Sequence, residues 1–168
     1  MLSPQPVLEE ISAFHFDPAR LSALAIANRD SFATQDPFPH VVLDSFLPDY
    51  VLDRVLAELP AVPRGDNNEM SPTLASERAK TAHPQASFFG PHTTHLLYQL
   101  NAADFLDFLE QLTGIEGLIS DGRLDGGGYH LTRRGGRLAI HIDFSHHRHC
   151  KIRRRLNLIL YLNKDWKE

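Results

Sequence analysis

Two residues near the end of an alternating stretch, His141 and Asp143, have side chains of the types that coordinate metal ions. Apolar and polar residues alternate over residues 137–144, which is the period of a half-buried β-strand. Side chains two positions apart on a strand point to the same face. The imidazole and the carboxylate are therefore predicted to lie side by side while the apolar residues pack on the opposite face. Such a pair can hold one metal ion, or it can form an ordinary surface hydrogen bond.

Glycine-rich segments and a second alternating stretch flank this predicted strand. Residues 126–130 read G-G-G-Y-H, residues 134–136 read R-G-G, and residues 155–166 read R-L-N-L-I-L-Y-L-N-K-D-W after a short polar insert. This arrangement resembles the 2-oxoglutarate- and Fe(II)-dependent dioxygenases of the prolyl 4-hydroxylase type. The likeness covers about the second half of the chain, and the Tyr-Leu-Asn-x-x-Trp ending is its most specific part after His-x-Asp.

The resemblance implies that His141 and Asp143 bind Fe(II) and that 2-oxoglutarate is the co-substrate. Oxygen would hydroxylate a prolyl or other side chain in a protein, or a small molecule, while 2-oxoglutarate is decarboxylated to succinate. Tyr161 matches a family tyrosine that in many members donates a hydrogen bond to the distal carboxylate of 2-oxoglutarate, and Tyr129 can approach the same molecule. Either tyrosine can instead pack as a strand aromatic. Ascorbate, as a reductant of the iron, is implied by the resemblance only.

The order of sequence patterns indicates an α+β protein with helices before strands. We expect one oxygenase domain over residues 1–168, with a helical support region at about 1–114 and strands at about 115–168. The resemblance implies that these strands form a double-stranded β-helix, or jelly-roll. The family's second histidine does not follow Tyr161, and neither does the arginine or lysine that lies beyond that histidine in the family and pairs with 2-oxoglutarate. We therefore expect an N-terminal portion of a longer oxygenase, with an incomplete barrel and no activity by itself.

Local signals place the individual elements. Capping residues, prolines and apolar stripes predict four helices, at about residues 18–35, 49–59, 93–100 and 102–113. Alternation predicts strands at 37–47, 129–132, 137–144 and 155–163, with a turn at 133–136 and a loop at 61–87.

Composition excludes several classes of protein. The formal net charge of -4 argues against nucleic acid as a partner, and no apolar run is long enough for a membrane span. The single cysteine, Cys150, suits a reducing compartment, so a cytoplasmic protein is expected. The sequence leaves open a non-catalytic jelly-roll binding module, in which His141 and Asp143 bond to each other or hold a structural ion.

Two clusters follow the His-x-Asp pair. The first contains three histidines and the cysteine, and is predicted to be an exposed connection rather than a second metal site: His146, His147, His149 and Cys150. The second is basic and can attract an acidic peptide or nucleic acid, or can simply be a solvated edge: Arg148, Lys151, Arg153, Arg154 and Arg155.

Overall fold

Four α-helices and two β-strands make up the regular structure. The computed structural model describes residues 14–59, 77–83, 89–122, 124, 127–138, 140–147 and 149–164. The elements in chain order are α1 (Pro18–Thr34), α2 (Asp49–Ala57), β1 (Glu77–His83), α3 (Pro91–Gln99), α4 (Ala103–Thr113) and β2 (Tyr129–Leu138). The chain divides into two compact units, one with the four helices and residues 158–164, the other with both strands and residues 140–157. Helices with a small amount of strand agree with the expected α+β class.

Helix α1 begins where the sequence signals place it. The Asp17 side chain accepts a hydrogen bond from Ala19 N at 2.9 Å, and Pro18 occupies the first helical position. The helix packs against α4 and buries Leu21 and Ala25. A group of aromatic rings completes this core, with centroids 5.1–6.2 Å apart: Phe16, Phe46, Phe105 and Phe108.

Helices α2 and α3 are joined by one carboxylate. Glu58, directly after α2, accepts hydrogen bonds from His92 N at 2.8 Å and from Thr93 N and Oγ1 at 2.8 and 2.7 Å. These amides belong to the first turn of α3, which has no side-chain cap of its own because Gly90 stands at the N-cap. The apolar stripe that predicts α2 has Val51 and Val55 buried and its leucines half-buried: Leu52, Leu56 and Leu59.

Helix α4 ends as predicted but begins differently. Gly114 adopts φ 70°, the left-handed conformation that terminates the helix. Asn101 is of a residue type typical of N-caps and would be predicted to cap this helix, but Ala102 is the N-cap and makes no side-chain bond. Asn101 instead accepts from Asp121 N at 3.1 Å and donates to Leu97 O at 2.9 Å, so its amide fixes the chain after the helix.

Strands β1 and β2 form an antiparallel two-stranded sheet. Pairing runs from His83↔Tyr129 to Lys80↔Thr132 and resumes at Arg78↔Arg137. Residues 133–136, predicted to be a turn, therefore lie within β2 and break its register. The predicted loop at 61–87 is wrong at 77–83, which is β1; its other residues lie outside the described part of the chain.

Two predicted strands are absent from the described residues, and a third, at 137–144, is present only at its first two residues. Residues 37–47 and 155–163 carry no strand pairing, and β2 ends at Leu138, before His141 is reached. Ile140 and Ile142, expected to be buried, are 105% and 97% exposed. Alternation makes a strand only when a neighbouring strand satisfies its backbone groups and covers its apolar face, and no described residue pairs with these segments in a ladder. Pro37 and Pro39 also remove two backbone donors from the first of them.

The jelly-roll expectation goes beyond the structure, since the described strands make only this one sheet. Among the described residues, no helix combines the length and apolar character that crossing a bilayer requires.

Candidate functional site

The predicted metal ligands lie on an exposed, irregular segment, residues 140–144. His141 Nε2 is 3.4 Å from Asp143 Oδ1, and the two side chains are 43% and 41% exposed. The spacing of two residues therefore brings the imidazole and the carboxylate together although the segment is not part of a sheet ladder.

A tight turn after this segment brings the chain back to Asp143. His147 N donates to Ile152 O and Arg154 N donates to Ser145 O, both at 2.9 Å. Residues 146 and 153 form an antiparallel bridge between these two bonds. Lys151 closes the turn with φ 53°. Arg154 is thereby placed opposite the start of the turn, beside the candidate site.

The second carboxylate oxygen of Asp143 has its own partners. Asn157 Nδ2 donates to Asp143 Oδ2 at 2.8 Å, and Arg154 Nη2 lies 3.4 Å from the same oxygen. Arg154 also donates to Asn157 Oδ1 and lies over the Phe144 ring, 4.9 Å from its centroid. The two oxygens are therefore distinct: Oδ1 faces His141, and Oδ2 faces an amide and a guanidinium group.

These partners favour the ionised form of Asp143. The hydrogen bond from Asn157 lowers the pKa of the carboxyl, and the charges of Arg154 and His141 lower this pKa further, while burial acts in the opposite direction. Asp143 is thus a carboxylate at neutral pH, which is the form a metal ion requires.

The geometry of the pair suits two ligands of one metal ion. Ligand atoms about 2.1 Å from a metal and at right angles to each other are about 3 Å apart, close to the separation of His141 Nε2 and Asp143 Oδ1. The bond from Asn157 to Oδ2 is the kind of outer contact that orients a coordinating carboxylate. Among the described residues, no group of three or more His, Cys, Asp or Glu side chains is arranged to hold a metal. The pair therefore provides two donors of a site that needs more.

The two predicted co-substrate tyrosines have different surroundings. Tyr129, the first residue of β2, is buried, and its ring meets that of Phe89 edge to face at a centroid distance of 5.4 Å. Tyr161 is 78% exposed and belongs to the helical unit, whereas His141 and Asp143 belong to the other. Tyr129 thus packs as an aromatic residue, and the ring of Tyr161 lies in contact with solvent.

The histidine and cysteine cluster helps to form the turn. His147 Nδ1 accepts hydrogen bonds from His149 N at 3.0 Å and Cys150 N at 3.2 Å. Accepting at Nδ1 places the proton of the neutral ring on Nε2. His146, His149 and Cys150 are exposed, as the prediction of an exposed connection requires.

Sequence reasoning did not find Asn157 or Arg154 as members of the site. Asn157 is 14 positions from Asp143 in the chain. The only sequence signal at Asn157 is its place among the polar positions of the alternating stretch 155–163. Arg154 was one cation in a basic run. The contact of both with Asp143 depends on the turn at 145–154, which no local pattern specifies.

No family model, curated protein or solved structure matches this chain.

Proposed function

We propose that this protein acts as a 2-oxoglutarate- and Fe(II)-dependent dioxygenase in which His141 and Asp143 bind the metal. The observation that supports the proposal most is the separation of 3.4 Å between His141 Nε2 and Asp143 Oδ1. The other carboxylate oxygen, Oδ2, accepts a hydrogen bond from Asn157 and leaves Oδ1 to face the imidazole. The substrate is a prolyl or other side chain in a protein, or a small molecule. The jelly-roll barrel, the cytoplasmic location and the use of ascorbate belong to the same proposal.

The residues of this chain have separate tasks in the proposed site. His141 and Asp143 Oδ1 contribute two ligands, and further ligands complete the coordination. Asn157 orients the carboxylate and keeps it ionised. Fe(II), when bound, supplies a redox-active centre with open positions for oxygen and co-substrate. The assignment of Tyr161 and Tyr129 to 2-oxoglutarate rests on the family resemblance alone.

Succinate formation tests this function. The full-length protein is incubated with Fe(II), ascorbate, 2-oxoglutarate and oxygen. We expect oxygen-dependent succinate that His141→Ala and Asp143→Ala abolish. The matched control, His146→Ala, alters an exposed histidine of the adjacent turn and should leave succinate formation unchanged. Absence of succinate from the wild-type protein contradicts the proposal.

A second candidate function is a non-catalytic binding module in which the pair is structural. The observation in its favour is that Arg154 and Asn157 already balance Asp143 without a metal. A guanidinium group beside the carboxylate competes with any cation for it. If the protein is a binding module, His141→Ala changes no turnover and lowers stability. If it is an oxygenase, the same variant loses succinate formation.

A further inference from the structure

Three cations on the turn after the candidate site share one exposed surface, the basic face: Lys151, Arg153 and Arg155. From residue 151 to 156 exposed and half-buried residues alternate, and the half-buried positions are Ile152, Arg154 and Leu156. Over residues 152–156 this alternation is the period of an extended chain, so Arg153 and Arg155 point away from the side chains that pack inward. Lys151 ends the turn with φ 53° and is exposed as well.

The turn that carries the basic face is held by several bonds. Two backbone hydrogen bonds of 2.9 Å and the bridge between residues 146 and 153 fix its two arms. On the inner side, Arg154 is held by Asp143, Asn157 and the Phe144 ring. The outward cations therefore sit on a backbone that is already ordered before any partner binds, which reduces the entropy cost of binding.

The basic face has no acidic partner in the described part of the chain. Lys151, Arg153 and Arg155 form no ion pair there, whereas Lys164 pairs with Asp53 and Arg154 with Asp143. The sequence contains no Asp or Glu between residues 144 and 164, although acidic residues outnumber Lys and Arg by 21 to 17 in the whole chain. Positive charge is concentrated here in a protein that is negative overall.

We propose that the basic face docks an extended acidic peptide. Residues two apart in an extended chain are about 6.7 Å apart, so Asp or Glu at every second position of a partner strand presents carboxylates at the spacing of Arg153 and Arg155. Strand-like pairing with the backbone at the turn edge adds hydrogen bonds to these ion pairs. The register of charges is thus the feature that selects the partner.

A peptide fits this surface better than a nucleic acid does. Single-stranded nucleic acids bind where aromatic rings offer faces for the bases to stack on. The Phe144 ring beside this turn is half-buried and already covered by the Arg154 guanidinium group, and residues 145–157 contain no Trp, Tyr or other Phe. The net charge of -4 also repels a dense polyanion more strongly than it repels a short peptide.

The docking surface adjoins the candidate site, since residue 154 separates two of its cations and contacts Asp143. That the docked peptide is also the hydroxylation substrate rests on the proposed function; the docking itself does not. Its test therefore uses no metal and no 2-oxoglutarate.

Fluorescence anisotropy with two labelled peptides of equal composition tests the proposal. One peptide carries Glu at every second position, and the other carries the same residues with all Glu contiguous. We expect the alternating peptide to bind more tightly and its binding to weaken as ionic strength rises. The triple variant Lys151→Gln, Arg153→Gln, Arg155→Gln should bind roughly tenfold more weakly, because each exposed ion pair adds little and three act together.

A matched pair of single variants controls for charge alone. Arg153→Gln should weaken binding, whereas Arg29→Gln, which removes an exposed cation from α1, should not. Equal binding of the two peptides, wild-type affinity in the triple variant, or tighter binding of a single-stranded oligonucleotide would each overturn the proposal. If a variant folds poorly, the difference in affinity of the wild-type protein for the two peptides still tests the proposal.

Discussion

At Asp143 the two carboxylate oxygens face different partners, and this division is the chemical basis of the candidate site. Oδ1 lies toward the His141 imidazole at 3.4 Å, while Oδ2 accepts from Asn157 at 2.8 Å and lies 3.4 Å from Arg154. An oriented carboxylate with one oxygen directed to an imidazole is suited to metal binding. The same contacts hold the side chain in place without a metal.

Replacing Asn157 by Ala is expected to raise the pKa of Asp143 toward its ordinary value of 3.8. The amide hydrogen bond is the largest cause of the lowered pKa, and Arg154 and His141 keep part of the effect. A pKa lowered in the folded protein stabilises it above the ordinary pKa and loses this effect as the pH falls through the lowered one. NMR titration of the Asp143 carboxyl carbon in metal-free protein measures the change. An unchanged pKa, or an equal rise in the control Asn163→Ala, would refute the assignment.

His15 is a second residue whose ionisation is tied to folding. Its Nδ1 is buried without a hydrogen-bond partner among the described residues, its ring meets His95 edge to face, and its backbone N donates to Gln99 Oε1 at 2.7 Å. Burial lowers the pKa of His15, and the positive charges of His95, His92 and Arg54 lower it further.

The protein is expected to lose stability as the pH falls below 6.5, the ordinary pKa of His15. In that range the unfolded chain binds a proton that the folded chain does not, and the loss levels off below the lowered pKa. Urea unfolding at a series of pH values measures this dependence. His15→Phe should reduce it, and His149→Phe, at an exposed position, should not. Equal pH dependence in wild type and His15→Phe would show that His15 is not its source.

At the scale of elements, the sequence predicted the helices well and the strands poorly, for a physical reason. The signals at Asp17, Pro18 and Gly114 act within one turn of a helix, so they are readable locally. A strand depends on a partner distant in the chain, and the alternating segment around Ile140 and Ile142 has none in the described residues. The neighbours of Asp143 were not predicted for the same reason, since Asn157 is 14 positions away in the chain and reaches Asp143 only through the turn at 145–154.

The Glu58 carboxylate is expected to stabilise the start of α3. Glu58→Ala should lower the free energy of unfolding by about 1–2 kcal/mol, because it removes the acceptor for two amides and a negative charge at a helix N-terminus. Glu58→Gln should cost less, since one acceptor oxygen remains. Gly90→Ala should also destabilise the protein, as a Cβ there collides with the Glu58 carboxylate. Urea unfolding checks all three, with Glu116→Ala as an exposed control; a cost no larger than that of the control would exclude the capping role.

At the scale of the whole molecule, the proposed metal ligands lie in one compact unit and the aromatic core with the four helices lies in the other. The helical unit contains the aromatic core, the Glu58 cap and Tyr161, while the other unit carries Tyr129, the His141 and Asp143 pair and the basic face. The chain is negative overall, and its local concentration of positive charge lies beside the two proposed metal ligands, as an enzyme that receives an anionic partner would require. Above all, we propose that the pair itself, His141 and Asp143, binds Fe(II).

Anaerobic titration with Fe(II), with and without 2-oxoglutarate, tests that claim most directly. The metal-to-ligand charge-transfer band is followed in the full-length protein and in its His141→Ala and His146→Ala variants. We predict a band that requires 2-oxoglutarate, disappears with His141→Ala and persists with His146→Ala. Absence of the band from the wild-type protein, or its survival in His141→Ala, would contradict the claim and leave the pair as a structural contact.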